Sequence, residues 1–182
     1  VSSDVSSSDL HTLAMASGQT VKANAIVMAT GSFPSCPPPW KALGDRLITT
    51  DEIFEFDDLP KSVAVFGPGV IGLELGQALH RLGVRVKIFG RGGGVGPLAD
   101  HAILSEARRL FGAELYLDTN AHAEVSRDGD EVVVAYKDLD GSDRVERFDY
   151  LLAATGRTPN VRNPGIAHTS PELNAHAVPL FD

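Results

Sequence analysis

The segment from Ser62 to Gly83, SVAVFGPGVIGLELGQALHRLG, constrains the fold of this chain more than any other. A short apolar run that predicts a strand ends at Gly67, and Gly69 and Gly72 follow at the start of an apolar pattern with helical spacing. In such a strand–turn–helix the first glycine permits the tight turn, the second lets a pyrophosphate approach the backbone, and the third lets helix and strand pack closely. The N–H groups and the dipole of the helix N-terminus favour negative charge. The segment therefore predicts a dinucleotide site, whereas a merely glycine-rich turn leaves Gly69 unexplained.

The composition argues against several partners. The chain has 16 basic and 24 acidic residues, a formal net charge of −8, which argues against nucleic acid and anionic membranes. No apolar stretch approaches the ~20 residues of a membrane span, and no signal sequence opens the chain. The only cysteine, Cys36, cannot form an intrachain disulfide, so we expect a cytoplasmic location. Six scattered histidines and one cysteine provide no metal-ligand spacing, so we expect no metal site.

The first 60 residues carry short elements and connectors. Strands are predicted at Leu10–Met15, Thr20–Lys22 and Ala25–Ala29. The proline-rich stretch SFPSCPPPW that follows predicts an extended connector. Asp51 stands at the start of DEIFEF, where we expect it to cap a short helical turn.

From residue 61 onward, strand and helix patterns alternate, and this order predicts an α/β fold. We expect a Rossmann-like three-layer domain in which a parallel sheet is completed by an antiparallel β-meander. Residues 161–182 leave the domain as a tail. The second helix is predicted to bury a face formed by Ile103, Ala107, Leu110 and Phe111. The predicted strands are 63–66, 84–89, 114–117, 121–126, 131–136 and Phe148–Ala154, and the predicted helices are 69–82 and 100–111.

An apolar strand ending in Ala-Thr-Gly occurs twice, in NAIVMATGS (24–32) and DYLLAATGR (149–157). With the glycine segment between them, in this order and spacing, these motifs make the chain resemble the FAD-dependent pyridine nucleotide–disulfide oxidoreductases over about residues 20–165. Within that family the motif wording is most similar to the dihydrolipoamide dehydrogenases. Transhydrogenases, mercuric reductases and glutathione reductases are the alternatives.

The resemblance implies an electron relay in a parent protein. There, a nicotinamide dinucleotide exchanges hydride with FAD, and FAD exchanges electrons with a disulfide. The family's N-terminal FAD fingerprint, redox cysteine pair and C-terminal dimerisation domain are not in this sequence. We therefore expect 1–60 to be a remnant of the FAD-binding domain and its linker, 61–160 to be the NAD(P)-binding domain, and 161–182 to be a return linker.

On this interpretation the partners are the dinucleotide and the remaining FAD and dimerisation domains, and this chain holds no catalytic residue. The fragment alone is expected to be inactive. A complete, non-catalytic dinucleotide-binding module is the alternative function.

The resemblance also assigns roles to individual residues beyond the three glycines of the pyrophosphate loop. Val70 offers a backbone contact in that loop, and Glu74 matches the glutamate that reaches the nicotinamide carboxamide. An acid stabilised near a helix N-terminus is the alternative for Glu74. Gly156 matches a glycine close to the nicotinamide, and Thr30 and Gly31 match residues that touch FAD in the parent.

The choice between NAD and NADP depends on the end of the strand 84–89. An acid there binds the ribose hydroxyls and repels a 2′-phosphate, whereas an arginine pairs with that phosphate. This sequence has Gly90 where NAD-using relatives have glutamate, and Arg91 follows. The positive charge of this stretch favours NADP or no preference between the two coenzymes. The resemblance favours NAD, and the question stays open at this point.

Overall fold

A computed structural model describes residues 5–9, 11–27 and 29–160, together with Glu172, Asn174 and Leu180. The chain divides into a smaller unit, Val1–Phe33 with Arg157–Asp182, and a larger unit, Pro34–Gly156. Residues 34–60, assigned above to the first domain and its linker, thus fall in the larger unit. Most of the predicted tail lies outside the described residues. Within the described ranges, no helix combines the length and apolar character that a membrane span requires.

The described part of the smaller unit is built from short strands. Strands β1 (Val5–Asp9), β2 (Thr12–Met15) and β3 (Thr20–Lys22) form an antiparallel sheet in that order. Strand β4 (Ser32–Pro34) pairs with the later strand Arg157–Pro159. The predicted strands at 10–15 and 20–22 are thus confirmed where the chain is described.

The predicted strand Ala25–Ala29 is wrong for its described residues, 25–27 and 29, which form no strand. Val27 is 89% exposed. Pairing with a neighbouring strand is what stabilises an extended apolar run, and no described strand pairs with this one. The apolar pattern alone was therefore an insufficient signal.

The connector before the glycine segment agrees with the prediction in part. From Pro38 onward the chain is not extended but forms a 3₁₀ segment over Pro38–Arg46. The short helical turn predicted at DEIFEF is confirmed, as a 3₁₀ segment over Glu52–Glu55. Asp51 makes no capping hydrogen bond, because its backbone already has helical angles. The carboxylate of Glu52 instead accepts hydrogen bonds from the backbone N and Oγ1 of Thr49, at 2.7 and 2.6 Å.

The larger unit confirms the predicted α/β class. Its regular elements are β5 (Leu47–Ile48), β6 (Ser62–Phe66), α1 (Val70–Arg81), β7 (Arg85–Phe89), α2 (His101–Glu114), β8 (Tyr116–Asp118), β9 (Ala123–Asp128), β10 (Glu131–Lys137), β11 (Asp143–Phe148) and β12 (Tyr150–Ala153). A parallel sheet has the order β5-β12-β6-β7-β8. Strands β9 to β11 form the antiparallel meander.

The last predicted strand, Phe148–Ala154, is two strands in the structure. β11 ends at Phe148, and β12 begins after Asp149, whose carboxylate accepts hydrogen bonds from the backbone N–H groups of Lys61 and Ser62 at 2.6 and 3.0 Å. β11 itself was missed because its sequence, DRVERF, is mostly exposed and carries little apolar alternation.

Both faces of the parallel sheet are covered, which explains why β6 is buried along its whole length. Val63 and Val65 point toward the helices and pack in a cluster with Leu73 of α1. Ala64 and Phe66 point the other way, into a cluster that includes Val132 and Val134 of the meander, Phe148 and Leu151. The three layers are therefore helices, parallel sheet and meander.

The face of α2 that packs against the core agrees with the prediction in part. Ala107 and Phe111 pack against the core as predicted, together with Leu104, whereas Ile103 and Leu110 are 57% and 56% exposed. The spacing 104, 107, 111 forms an apolar stripe that overlaps the predicted one. The sequence contains both stripes, and only the packing against the sheet selects one.

Candidate dinucleotide-binding site

A cleft of about 500 Å³ lies at the carboxyl ends of the parallel strands. The loops after β6, β7, β8 and β12 all contribute to it. Since α1 connects β6 to β7 on one side while β12 lies on the other, this is the point at which the strand order reverses, where open α/β sheets bind ligands. The lining residues are Pro37, Trp40, Phe66, Gly67, Pro68, Gly69, Phe89, Gly90, Arg91, Ala121, Ala123, Ala154, Thr155 and Gly156.

Gly67 and Gly72 are glycines because no side chain fits at either position. Gly67 has a φ of 111°, a left-handed conformation, and a Cβ there would overlap the backbone carbonyl of Ala154. A Cβ on Gly72 would overlap the carbonyl oxygen of Gly67. Gly67 thus makes the tight turn, and Gly72 lets α1 pack directly against that turn.

Gly69 has no such explanation within the chain. Its φ of −75° suits any residue, and a Cβ built on it would meet no atom within 4 Å. It is the N-cap of α1, no side chain caps it, and the first turn carries no acid. The leading N–H groups of an α-helix have no intrahelical partner. An uncapped helix end facing open space fits a phosphate group.

One wall of the cleft is aromatic. The rings of Trp40 and Phe66 have centroids 4.9 Å apart, and those of Phe66 and Phe89 are 5.1 Å apart. Behind Phe89, the ring of Tyr136 packs edge-on at 5.0 Å. No sequence pattern indicated this wall, because Trp40 comes from the connector and reaches the cleft only through tertiary packing.

A polar network holds Tyr136 in place behind that wall. Lys87 Nζ lies 2.5 Å from Tyr136 Oη and 2.6 Å from Glu146 Oε1, and Tyr136 Oη donates to Glu146 Oε1 at 2.5 Å. Burial alone would raise the pKa of Glu146, but the hydrogen bonds from Lys87 and Tyr136 outweigh it and hold that pKa below its usual range. The network therefore links β7 to the meander through a charged pair, Lys87 and Glu146.

The end of β7 is more crowded than the sequence suggests. Gly90 is buried, and a Cβ there would lie 2.5 Å from Cγ and 2.7 Å from Cδ of Pro68. The closeness of Pro68 therefore explains why a glycine stands at this position. The glycine also leaves the end of β7 without a carboxylate. Arg91, which follows, is exposed.

Arg91 lines both the main cleft and an adjoining cavity of about 620 Å³. Asn120, His122 and Glu124 line the adjoining cavity with it. Glu124 is an acid that arrives from β9 rather than from the end of β7, so a search along the segment after β7 could not have found it. The rule that ligands lie beyond strand ends could have indicated residues 119–123.

The predicted site residues fall into three groups. Gly67, Gly69, Gly90, Arg91 and Gly156 all line the cleft, with Gly72 buried behind it.

Val70, which is 52% exposed, and Glu74, also exposed, lie on α1 and are not among the lining residues of the described chain. Thr30 and Gly31 belong to the smaller unit, where their carbonyls accept hydrogen bonds from the Nδ2 and N of Asn160 at 3.1 and 2.9 Å.

The described lining of the cleft consists mostly of glycine, alanine and aromatic residues. Arg91 is the one ionisable side chain among its described lining residues. Cys36 is a half-buried free thiol. In the part of the chain that the structure describes, no group of three or more His, Cys, Asp or Glu is arranged to hold a metal ion.

Comparison with known proteins decides the family. The profile of the pyridine nucleotide-disulphide oxidoreductases matches residues 2–174. The chain belongs to this family. Its members use FAD and a nicotinamide dinucleotide.

Individual relatives agree with that assignment. A dihydrolipoyl dehydrogenase from Cupriavidus necator is 33% identical over 152 residues, which are 82% of this chain and 32% of that protein. The structure of LpdA from Mycobacterium tuberculosis superposes with a TM-score of 0.67 at 30% identity, covering 91% of this chain and 36% of that one. The HOCl-induced flavoprotein disulfide reductase RclA from Escherichia coli gives a TM-score of 0.79 at 20% identity, covering 98% of this chain and 40% of that one, and shows the fold. The chain therefore spans about a third of the length of the curated relative.

Proposed function

We propose that the larger unit binds a nicotinamide dinucleotide in the cleft, as the NAD(P)H-binding part of a flavin-dependent disulfide oxidoreductase similar to dihydrolipoyl dehydrogenase. The observation that carries the proposal is Gly69, which neither strain nor packing requires and which faces open space at an uncapped helix N-terminus. The backbone N–H groups at the start of α1 hold the pyrophosphate. The coenzyme supplies hydride chemistry; this chain binds and orients it.

The two halves of the coenzyme take opposite sides of that loop in this proposal. The adenosine half lies toward the end of β7, where Gly90 and Arg91 line the cleft. The nicotinamide half lies toward the end of β12, beside Gly156. Val70 contributes its backbone in the loop, and Glu74 reaches the nicotinamide carboxamide as in the family the chain resembles.

We expect the site to discriminate only weakly between NADH and NADPH. Arg91 offers a charge-assisted contact to a 2′-phosphate, whereas Glu124 on the wall of the same adjoining cavity opposes a second negative charge. A well-formed charge-assisted contact contributes ~1.5–3 kcal/mol, and an exposed one ~0–1 kcal/mol. We therefore expect NADH and NADPH to bind within about a hundredfold of each other, at about 1.4 kcal/mol per decade.

The remaining parts of the relay are proposed to lie outside this chain. FAD, contacted by Thr30 and Gly31, and the dimerisation domain complete the parent enzyme, which we place in the cytoplasm. The chain by itself is expected to show no NADH oxidation with lipoamide.

The test is a calorimetric titration of the chain with NADH, NADPH and ADP-ribose, repeated on Gly69→Asp. The new carboxylate meets open space rather than protein, so folding should be retained, while repulsion of the pyrophosphate lowers affinity for all three ligands by about tenfold or more. Gly112→Ala, on the exposed surface of α2, is the matched control and should bind like the wild type. If Gly69→Asp remains folded and binds all three ligands with unchanged affinity, the pyrophosphate does not sit on α1.

A further inference from the structure

Trp40 is the one tryptophan of the chain, and it lies in the wall of the cleft. It is half-buried, and its ring meets that of Phe66 at an interplanar angle of 66°. Because the two rings meet edge to face, Phe66 covers at most one face of the indole. An indole in a ligand-sized cleft has a surface available to a second flat ring.

Residues other than Trp40 also anchor the connector. Leu43, in the same 3₁₀ segment, is 2% exposed and lies within the core cluster on the meander side of the sheet. Arg127 also holds this segment, since its Nη1 donates to the carbonyl of Leu43 at 2.7 Å and to Asp45 Oδ1 at 2.6 Å. Trp40 packs against the same core cluster, but it is the residue of this segment that also lines the cleft.

The hydrogen bonds of the connector show which half of the cleft Trp40 belongs to. Ser35 N donates to the carbonyl of Gly156 at 3.0 Å, and Thr155 Oγ1 donates to the carbonyl of Ser35 at 2.6 Å. Ser35, before Trp40, is therefore fixed to the end of β12, and Leu47 of β5, after it, pairs with Leu151 of β12. Because β12 and β7 lie on opposite sides of β6, the chain on both flanks of Trp40 is held on the side of β6 away from β7.

We propose that Trp40 packs against the nicotinamide ring of the bound coenzyme and favours its oxidised, positively charged form. The inference rests on the proposed function, which places the nicotinamide at the end of β12. An indole face attracts a cationic ring more strongly than a neutral one, and nicotinamide carries its positive charge only in the oxidised state. Trp40 is thus a positioning residue that distinguishes the two oxidation states of one ligand.

The experiment compares the wild type with Trp40→Phe and Trp40→Ala, titrated with NAD⁺, NADH and ADP-ribose. Loss of the indole in Trp40→Ala should weaken NAD⁺ by about fivefold and NADH by less, since the cation–π contribution belongs to the oxidised ring. ADP-ribose lacks nicotinamide, so its affinity should not change. Trp40→Phe keeps an aromatic face and should recover part of the loss for NAD⁺.

Fluorescence supplies a readout that a purely structural residue would not change. An electron-poor nicotinamide in contact with the indole quenches its emission, so NAD⁺ should quench the single tryptophan of the wild type and ADP-ribose should not. Leu43→Ala is the structural control. It should lower the free energy of unfolding without changing the ratio of the affinities for NAD⁺ and ADP-ribose.

The outcomes separate this inference from the proposed function. If Trp40→Ala weakens NAD⁺ and ADP-ribose equally, or if NAD⁺ binds without quenching, Trp40 does not contact nicotinamide, although the dinucleotide site stands. If none of the three ligands binds the wild type, both proposals fail.

Discussion

The two helices of the larger unit begin in opposite ways. Helix α1 starts at Gly69 with no side-chain cap, and it buries Gly72, Leu73, Gly76 and Leu79. Helix α2 starts at Asp100, whose carboxylate accepts hydrogen bonds from the backbone N–H groups of Ala102 and Ile103 at 2.9 and 3.1 Å, and it has no buried residue. Both follow strands of the same sheet. The difference shows that an N-terminus satisfied by its own chain has a structural task, whereas one left open is available to a ligand.

The largest effect on this comparison is expected from Gly72→Ala. The new Cβ would overlap the carbonyl of Gly67, so α1 must move away from the turn, at a cost of about 3 kcal/mol in the free energy of unfolding. Urea denaturation followed by circular dichroism measures it. Gly112→Ala adds the same methyl group to α2 in open space and should instead raise stability, by about 0.5–1 kcal/mol. Equal stability of the two variants would show that α1 is not packed against the loop.

A smaller effect is expected from Asp100→Ala, which removes the cap of α2. Loss of the two hydrogen bonds that the carboxylate accepts from backbone N–H groups should lower the free energy of unfolding by about 1 kcal/mol, with ADP-ribose affinity unchanged. Gly69→Asp is the converse change: it places a good capping residue on α1, so stability should hold or rise while affinity falls. A decrease in ADP-ribose affinity in Asp100→Ala would contradict the division of tasks between the helices.

The smallest effect is expected where the two helices are joined. Glu114 of α2 accepts hydrogen bonds from Arg81 Nε at 2.6 Å and from Gln77 Nε2 at 2.8 Å, both on α1. The Arg81 guanidinium holds the pKa of Glu114 below its usual range. A lowered pKa in the folded state means that this stabilisation is present at neutral pH and is lost as the pH falls through the folded value.

Glu114→Gln tests this contribution. Its stability should be slightly below that of the wild type at pH 7, and the difference should shrink in acid, as measured by thermal unfolding between pH 7 and pH 3. Because the pair is exposed, added salt should also reduce the difference. A difference that grows as the pH falls would show that the ion pair is not what joins the helices.

Sequence reasoning succeeded where the chemistry is local. The strand, the tight turn at Gly67 and the helix after Gly69 follow from residues within one short segment, so the fold class could be predicted and was confirmed. The cleft as a whole could not be predicted from the sequence. Trp40 and Ala121 reach it from segments far apart in the chain, and only the packing of the connector and the meander brings them there.

The wrong predictions share that physical cause. The apolar run 25–29 has no described strand beside it, and packing against the sheet selects Leu104 of α2 in place of the predicted Ile103 and Leu110. β11 gave a weak signal because its side chains are mostly exposed. In each case the pattern described what a segment could form, and its neighbours determined what it did form.

The lack of space between Gly90 and Pro68 has a consequence for redesign. A carboxylate introduced at position 90 to select NADH would have to displace the ring of Pro68, which belongs to the loop after β6. The two positions are therefore epistatic: in the proposed site, a change of coenzyme preference at the end of β7 would also alter the loop proposed to hold the pyrophosphate. An NAD-selective variant of this chain therefore needs a smaller residue at position 68 before an acid is introduced at position 90.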